Sequence, residues 1–394
     1  MLLVLSYGRY FNKMEMKQLY LYLLLLITVF SCVKEPECEI DLPKGRTVLF
    51  YLAGDNSLSS EINDMHVALM KGWNPNTIGS LVIFADRKNS SPVLIKLEKR
   101  NNITVADTLR RYSLENSASP ELLSQVIADT QVIAPGESYG LVLFSHATGW
   151  LPEKSFGNLG EWSAAFDYNP PITSRSIFED NGREMELGDF AAAIPNGLFE
   201  FIASEMCFMS SVETAYALRK KTNYLLASAP EVLSPGFTPI YTTSLDLLFK
   251  PKADLEGFAQ AFFDYFNGLE GAYQSAAISV VRTAEMEALA ALTRQISPSL
   301  TQEQIDQVQY YDRNGKPHVF FDFRDYIREA ATPQQLAQVD DLLTKIVVFK
   351  RNTPKLINIS IAKHSGLSVY IPQSNMVRLN NAYKETEWYK AVKN

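Results

Sequence analysis

The sequence predicts an α/β protein with a mostly parallel central sheet and helices on both of its faces. Short continuous apolar runs, of the kind buried inside parallel sheets, occur at Thr47–Ala53, Leu81–Asp86 and Leu141–Phe144. Amphipathic helical patterns such as Leu58–Met70 and Pro120–Ile133 lie between these runs. Strands that alternate with helices favour a parallel sheet covered on both faces.

The same patterns predict the remaining elements. Val93–Leu97 and Ile103–Leu109 alternate apolar and polar residues on either side of a polar turn, which indicates a hairpin. Further strands are predicted at Phe199–Ala203, Tyr224–Ala229, Ala276–Val281, Ile357–Ile361 and Leu367–Ile371, and helices at Leu187–Ile194, Met209–Lys221, Thr242–Gly268, Thr283–Ser297, Val319–Ala331, Pro333–Arg351 and Glu385–Lys393.

Composition excludes several classes of protein. Of the 394 residues 46% are hydrophobic, which is ordinary for a soluble domain, and a net charge of −7 without long charged runs argues against nucleic-acid binding. Three cysteines, one of them in a targeting segment, cannot form a disulfide framework. His66, His318 and His364 have no cysteine or carboxylate at metal-ligand spacing, so we expect no zinc site.

The N-terminal segment is predicted to be a bacterial lipoprotein signal, residues 1–32. Met16-Lys17 opens a basic region and is the better start of translation, and the apolar run Leu19–Phe30 is too short for a stable membrane span. The run closes on VFSC (Val29–Cys32). Cys32 would then carry the acyl chains of a lipid anchor, although an ordinary cleaved signal peptide is the alternative.

This interpretation sets the domain organisation and the location. Residues 33–46 are charged and contain proline, as in a tether, and residues 47–394 form the folded domain. We therefore expect a lipoprotein that lies on the bacterial cell envelope and contacts the membrane through its anchor.

Two reactive side chains follow two of the predicted strands. Cys207 comes just after Phe199–Ala203, and His146 comes just after Leu141–Phe144. Open α/β sheets carry their chemistry at the carboxyl ends of parallel strands, so an imidazole and a thiol should meet at one sheet edge. Ser210 and Glu213 form a capping-box pattern, which predicts a helix start near Cys207 that lowers the pKa of the thiol. The alternative for Cys207 is a buried cysteine that acts as a small hydrophobe.

Several stretches resemble one family of proteins. They are His146-Ala147, Glu205-Met206-Cys207 with Met209 and Glu213 after it, YLAGDNSL (Tyr51–Leu58), VFFDFRDYIRE (Val319–Glu329) and GLSVYIP (Gly366–Pro372). In order and spacing these stretches resemble the clostripain family of cysteine peptidases, relatives of caspases, legumain and gingipains. The chain departs from the family pattern at Ala147, where glycine is usual, and at Glu205, where aspartate is usual.

The resemblance implies a fold, an activity and a site. The fold is a caspase-like three-layer sandwich, and the activity is hydrolysis of peptides by a His146/Cys207 dyad without a required cofactor. The amides of Ala147 and Cys207 would bind the oxyanion, and Leu233–Tyr241 would form one wall of the substrate pocket. Glu205 would bind an Arg or Lys side chain before the cut, since strand alternation points it the same way as Cys207. The alternative role for Glu205 is that of a salt-bridge partner inside the fold.

The long polar segment Leu151–Glu186 lies between the two catalytic candidates. Loops of this length are usually functional or flexible, and the resemblance implies a loop that is sometimes cut during maturation. Its basic residues are possible self-cleavage sites, and its acidic side chains could bind calcium, although a solvated, uncut loop is the alternative to both. The basic residues are Lys154, Arg175 and Arg183, and the acidic candidates are Glu179 and Asp180, together with Asp189 just after the segment.

Two functional hypotheses follow, with a third more distant. The first is a lipid-anchored clostripain-like endopeptidase that cleaves after Arg or Lys. The second is a catalytically weak or inactive relative that binds peptides or envelope partners, which the departures at Ala147 and Glu205 support. The third is a thiol hydrolase or acyltransferase of another fold, which strand-end geometry alone would allow.

Overall fold

Strands and helices alternate along the part of the chain that the computed structural model describes, residues 45–152, 155 and 177–393 without 75, 102, 114, 115 and 314. The strands are β1 (Arg46–Gly54), β2 (Gly79–Arg87), β3 (Val93–Arg100), β4 (Ile103–Arg111), β5 (Ser138–Phe144), β6 (Ile177–Asp180), β7 (Arg183–Met185), β8 (Phe199–Ser204), β9 (Thr222–Ala227), β10 (Ala277–Arg282), β11 (Phe321–Asp322), β12 (Val347–Asn352), β13 (Lys355–Leu356), β14 (Ile359–Ser360) and β15 (Ser368–Val369). The helices are α1 (Ser59–Gly72), α2 (Pro120–Ile133), α3 (Leu187–Ala193), α4 (Val212–Ala217), α5 (Thr238–Ser244), α6 (Leu255–Asn267), α7 (Met286–Ile296), α8 (Gln302–Ile305), α9 (Phe323–Arg328), α10 (Pro333–Ile346), α11 (Val377–Tyr383) and α12 (Glu387–Lys393).

A nine-stranded sheet in the order β12-β10-β9-β8-β5-β1-β2-β3-β4 forms the framework. The central strands β9, β8, β5, β1 and β2 are parallel to one another. Antiparallel strands extend the sheet on both sides, β3 and β4 on one and β10 and β12 on the other. The predicted mostly parallel sheet is therefore confirmed, and so is the hairpin β3–β4.

The core lies in two layers, one on each face of the sheet. Every residue of β1 is buried, and its side chains alternate between the two apolar clusters, with Tyr51 in one and Phe50 in the other. The first cluster includes side chains of α2, α3, α4, α7 and α10, and the second includes side chains of α1, α5 and α6. Burial on both faces explains the continuous apolar runs of the sequence and completes a three-layer sandwich.

Several predicted elements are wrong in their bounds. The helix predicted to reach Arg351 ends at Ile346, and the following β-branched and aromatic residues of β12 pair with β10 instead. The single helix predicted for Thr242–Gly268 is divided into α5, a 3₁₀ turn at Leu245–Phe249 and α6, which Asp254 caps. Pro251 has no amide hydrogen to continue a helix through this break.

The hairpin β6–β7 was not predicted, because it lies in a segment interpreted as a loop. Its turn contains Asn181-Gly182, and both residues have positive φ, as a tight hairpin turn requires. An Asn-Gly pair is a strong local signal for a hairpin, so the sequence carried evidence for this element. The hairpin matters for function because Ile177 bridges Ala147, next to His146.

Candidate active site

His146 and Cys207 lie just beyond the ends of the adjacent parallel strands β5 and β8. The two strands are in register with Leu143 opposite Ser204, so the two side chains follow equivalent positions of the sheet. The amide of Glu205 continues the pairing by donating to the carbonyl of Leu143 at 3.0 Å. The structure therefore places the imidazole and the thiol at one sheet edge, as the sequence predicts.

The imidazole and the thiol have separate partners. His146 is exposed, and its Nε2 lies 2.8 Å from the hydroxyl of Ser57. Cys207 is half-buried, and its Sγ lies 3.4 Å from the backbone amide of Val232 and 3.8 Å from the Val232 carbonyl oxygen. The segment that contains Val232 thus lies directly against the thiol.

Burial raises the pKa of the Cys207 thiol to about 11, and the nearby Glu231 carboxylate adds to the rise. The Val232 amide and the Arg313 guanidinium lower the pKa of the thiol, but burial has the larger effect. The predicted lowering of the thiol pKa by a helix end is therefore wrong. The six-residue helix α4 begins only at Val212.

The helix start was placed one residue too early by the capping-box pattern. Ser211 is the N-cap, since its side chain accepts from the amide of Thr214. The Ser210 hydroxyl instead lies 2.7 Å from the carbonyl of Gly366, and Glu213 accepts from the amide of Tyr370 at 3.0 Å. Both side chains therefore join α4 to the chain around β15 rather than capping the helix.

The chain turns sharply after the thiol. Phe208 has a φ of 59°, an unusual conformation for a bulky residue, and such strain often marks a functional site. Its ring stacks on Phe320 with 4.1 Å between ring centroids and 7° between planes. Gly149 lies close by, and a Cβ added to it would come within 2.7 Å of the Phe208 carbonyl oxygen. The chain after His146 and the chain after Cys207 are therefore in direct contact.

Ala147 is compatible with its position despite the missing glycine. The residues with positive φ in the described ranges do not include Ala147, so its methyl group meets no backbone penalty there. The residue is buried and forms an isolated antiparallel bridge with Ile177. The substitution thus leaves the backbone near His146 unstrained.

Glu205 lies inside the fold and has specific hydrogen-bond partners. Its carboxylate accepts from the amide of Phe237 at 2.6 Å and from the hydroxyl of Tyr241. Burial is the main cause that raises the pKa of Glu205, to about 8. An amide and a phenol, rather than the basic partner of a salt bridge, thus hold this carboxyl against the Leu233–Tyr241 segment.

The contact between Glu205 and the Leu233–Tyr241 segment requires glycine at position 236. Its φ is +59°, and a Cβ on it would come within 2.5 Å of Glu205 Oε2. The pocket-wall segment and the end of β8 therefore fit together only with glycine at this position.

Ser57, Glu231 and Arg313 belong to the site, although no sequence pattern assigns them a role. Ser57 lies in the YLAGDNSL stretch, but its spacing from His146 carries no signal. Arg313 donates to Glu231 Oε2 through Nε at 2.9 Å, which joins the segment around Val232 to a second loop. Such partners become visible only when the fold brings distant segments together.

The candidates in the long polar segment are only in part within the described residues. Lys154 and Arg175 lie outside them, and so does the lipidation candidate Cys32 near the N-terminus. Arg183 is exposed but lies in β7, where it is paired with Asp180 in the hairpin. A paired strand is a poor protease substrate, so the hairpin disfavours cleavage after Arg183.

The acidic residues proposed for calcium do not form a metal site. Asp180 accepts from the amide and hydroxyl of Ser117, and Glu179 accepts from the amide of Gly182 at 2.9 Å. Within the described ranges, no three His, Cys, Asp or Glu side chains are grouped closely enough to hold an ion. Glu179, Asp180 and Asp189 are therefore not grouped as a calcium site in the part of the chain that the structure describes.

A thiol and an imidazole at the carboxyl edge of a three-layer α/β sandwich define a class of cysteine hydrolases. Comparison with family models identifies the member of that class: residues 50–392 match the model of the clostripain family, peptidase family C11. The chain belongs to the clostripain family of cysteine proteases.

Solved structures agree with this assignment. An inactive zymogen C11 protease from Parabacteroides distasonis is 32% identical, and the match covers 90% of this chain and 100% of that chain with a TM-score of 0.78. A secreted C11 cysteine protease from Bacteroides thetaiotaomicron, in complex with an irreversible peptide inhibitor, is 26% identical, with coverages of 89% and 99% and a TM-score of 0.74. A search of curated proteins gave no match.

Proposed function

We propose that this protease is an endopeptidase that uses His146 and Cys207 as its catalytic dyad and cleaves after Arg or Lys. The observation that carries the proposal is the placement of both side chains beyond the paired ends of β5 and β8. Other features of the site, including the compatible backbone at Ala147, are consistent with a protease of this family.

The mechanism follows from the two groups. Cys207 Sγ attacks the scissile carbonyl carbon, its proton passes to His146, and a tetrahedral oxyanion forms. Collapse of this intermediate breaks the C–N bond, and the imidazolium gives its proton to the leaving amine. Water then attacks the thioester with His146 as base, which releases the acid and restores the thiol. The backbone amides of Ala147 and Cys207 are the proposed oxyanion donors.

The observed contacts are those expected of a resting form of such an enzyme. A thiol with a pKa near 11 is protonated at neutral pH, and its contact is Val232 rather than an imidazole. Catalysis therefore requires the segment around Val232 to yield and the imidazole to approach the thiol. The similar Parabacteroides distasonis structure is described as an inactive zymogen, which is consistent with a resting form of this chain.

The same contacts favour a second candidate function. A relative in which the thiol stays against Val232 would bind peptides without cleaving them. The two candidates differ in one respect, because only the endopeptidase forms an acyl-enzyme.

The experiment that tests the function uses the chain without residues 1–32. Its turnover is measured with fluorogenic peptides that vary the residue before the cut, beside Cys207→Ala and His146→Ala. We expect hydrolysis after Arg and Lys by the unchanged chain, no turnover by Cys207→Ala and at least about a hundredfold loss in His146→Ala. The inactive candidate would be supported instead if the protein binds peptides but neither hydrolyses them nor becomes covalently labelled at Cys207.

We further propose that Cys32 is lipidated and anchors the protease at the bacterial envelope. Among the described residues, no helix has the length and apolar character needed to cross a membrane. Cys32→Ala should move the protein from the membrane fraction to the soluble fraction and abolish metabolic labelling with a fatty acid. A variant that stays in the membrane fraction, with no acyl label on the unchanged protein, would contradict the proposal.

Maturation by self-cleavage is proposed at Lys154 or Arg175, in the segment between the two catalytic residues. The support is that Arg183, the third basic candidate, is already part of the hairpin β6–β7. Mass spectrometry of the incubated protease should find new termini after residue 154 or 175 that are absent from Cys207→Ala. If the protein is fully active while its chain remains intact, self-cleavage is not required for activity.

A further inference from the structure

We infer that Ser57 is a positioning residue for His146, which adds a third member to the proposed dyad. Its hydroxyl accepts the Nε2 hydrogen of the imidazole and so leaves the Nδ1 lone pair for transfer of the thiol proton. The inference rests on the catalytic role proposed for His146 and Cys207.

The distance between the two side chains supports a hydrogen bond. Ser57 Oγ and His146 Nε2 are 2.8 Å apart, within the normal range for N–H···O contacts. A neutral imidazole carries one hydrogen, and the partner of one ring nitrogen decides which nitrogen carries it. A general base needs a free lone pair, so a hydroxyl that accepts from Nε2 selects the tautomer with Nδ1 available.

Ser57 is held in place by its neighbour Asn56. The Asn56 Oδ1 accepts from the amide of Leu58 at 2.8 Å, which fixes the turn that carries Ser57. The Asn56 amide nitrogen donates to the carbonyl of Ala53 at 3.3 Å and to the carbonyl of Glu179 at 2.7 Å. The turn after β1 is therefore tied to its own strand and to β6.

The same buried network reaches the residue beside the imidazole. The Asn56 amide nitrogen also lies 3.4 Å from the hydroxyl of Ser145, and that hydroxyl accepts from the amide of Glu179 at 3.1 Å. Ser145 immediately precedes His146 in the sequence. The hydroxyl that orients the imidazole and the backbone that carries it thus belong to one cross-linked unit, as precise positioning requires.

The solvent exposure of Ser57 and His146 limits how much their hydrogen bond can change the catalytic rate. Ser57 and His146 are both exposed to solvent, where water competes for the same hydrogen bond. A bound peptide would cover this edge and strengthen the contact, so the consequence should appear mainly in the rate of the bound complex. We expect a change of about tenfold, the size that one net hydrogen bond supplies.

The test compares Ser57→Ala and Ser57→Thr in the full chain, with Ser59→Ala as the matched control. Ser59 is the first residue of α1, directly after the turn, but its hydroxyl accepts from the amide of Lys88 rather than from an imidazole. Ser57→Ala should lower kcat about tenfold with little change in KM, while Ser57→Thr, which keeps the hydroxyl, restores most of the rate. Equal kcat in Ser57→Ala and the unchanged protein, or the same loss in Ser59→Ala, would overturn the inference.

A spectroscopic measurement tests the tautomer separately from turnover. The chain has four histidines, so ¹⁵N spectra of the ring nitrogens can be assigned to His146 by comparison with His146→Gln. The unchanged protein should show the Nε2–H tautomer, and Ser57→Ala should show a mixture of both. An unchanged tautomer in Ser57→Ala would contradict the positioning role. If no peptide is hydrolysed by any form, the proposed function fails, while this spectrum still decides the role of Ser57.

Discussion

At the scale of single residues, two charges beside Cys207 modulate the thiol pKa that burial raises. The carboxylate of Glu231 raises the pKa of the thiol, and the guanidinium of Arg313 lowers it. The two side chains also form an ion pair, with Arg313 Nε 2.9 Å from Glu231 Oε2. Their effects on the thiol are opposite in sign, so they can be separated by substitution.

Neutral substitutions at these positions should shift the thiol pKa in opposite directions. Glu231→Gln removes a negative charge and should bring the thiol pKa below about 11, whereas Arg313→Gln should raise it further. The measurement is the rate of Cys207 alkylation by iodoacetamide as a function of pH. A shift of the same sign in both variants would mean that the substitutions act by moving the segment around Val232 rather than through charge.

The ionisation of Glu205 should make the proposed basic specificity depend on pH. Its pKa of about 8 keeps much of the carboxyl protonated at pH 7, and the negative charge grows as the pH rises above 8. The ratio of kcat/KM for matched Lys and Ala peptides should therefore increase between pH 7 and 9. Arg and Lys side chains remain positively charged over this range.

Glu205→Gln is the variant that tests this prediction. It should make the Lys-to-Ala ratio independent of pH and reduce transition-state binding of basic substrates by about 2 kcal/mol at pH 9. Equal losses for Lys and Ala peptides would show that Glu205 serves only to hold Phe237 and Tyr241.

At the scale of elements, the contact between Gly149 and Phe208 joins the two segments that follow β5 and β8, the strands that precede the catalytic candidates. Gly149 has a φ of +62° and no room for a Cβ, because the Phe208 carbonyl oxygen would lie 2.7 Å away. Two constraints therefore coincide at one glycine, a conformation that disfavours side chains and a close approach of backbone. The relative positions of His146 and Cys207 depend on this contact.

Gly149→Ala should damage both stability and activity. The strained φ and the contact with Phe208 together should destabilise the fold by roughly 1–3 kcal/mol, with a larger proportional loss of kcat than of peptide affinity. Thermal unfolding and kcat/KM provide the measurements. Gly188→Ala is the matched control, since a Cβ at Gly188 meets no atom within 4 Å. Similar behaviour of the two variants would contradict the close approach.

At the scale of the whole molecule, buried carboxyls couple the stability of the fold to pH. Glu213 is 1% exposed and accepts from the amide of Tyr370, and burial raises its pKa from 4.5 to about 7. Between these values the unfolded chain loses this proton while the folded chain keeps it. The contribution to stability is therefore complete below pH 4.5 and is lost as the pH rises through 7.

Glu213→Gln should remove this part of the pH dependence. Stability of the unchanged protein should fall by up to roughly 3 kcal/mol from this group between pH 4.5 and 7, and the variant should have a flatter profile. Tm is measured from pH 5 to 8 in a Cys207→Ala background, with the exposed Glu303→Gln as control. A parallel profile in Glu213→Gln would show that another group carries the effect.

The sequence by itself determined the sheet and the place of the catalytic candidates. Apolar runs and helical periodicity are local patterns, so β1, β5 and β8 could be read directly, and α2 was predicted with its observed bounds, Pro120–Ile133. Parallel strands end at a common edge, which was enough to place His146 and Cys207 at the same edge of the sheet. Local patterns did not predict the boundary between a helix and a strand that follows it directly, as β12 follows α10.

Only the tertiary structure decided the state of the site. The high pKa of Cys207, the partners of Glu205 and the contact of Ser57 with His146 all depend on residues far away in the sequence. Burial and long-range hydrogen bonds arise when distant segments of the chain pack together. The spacing of residues along the sequence therefore does not predict them. The sequence therefore predicts which chemistry this edge can perform, while packing decides that the described form holds a protonated thiol against Val232.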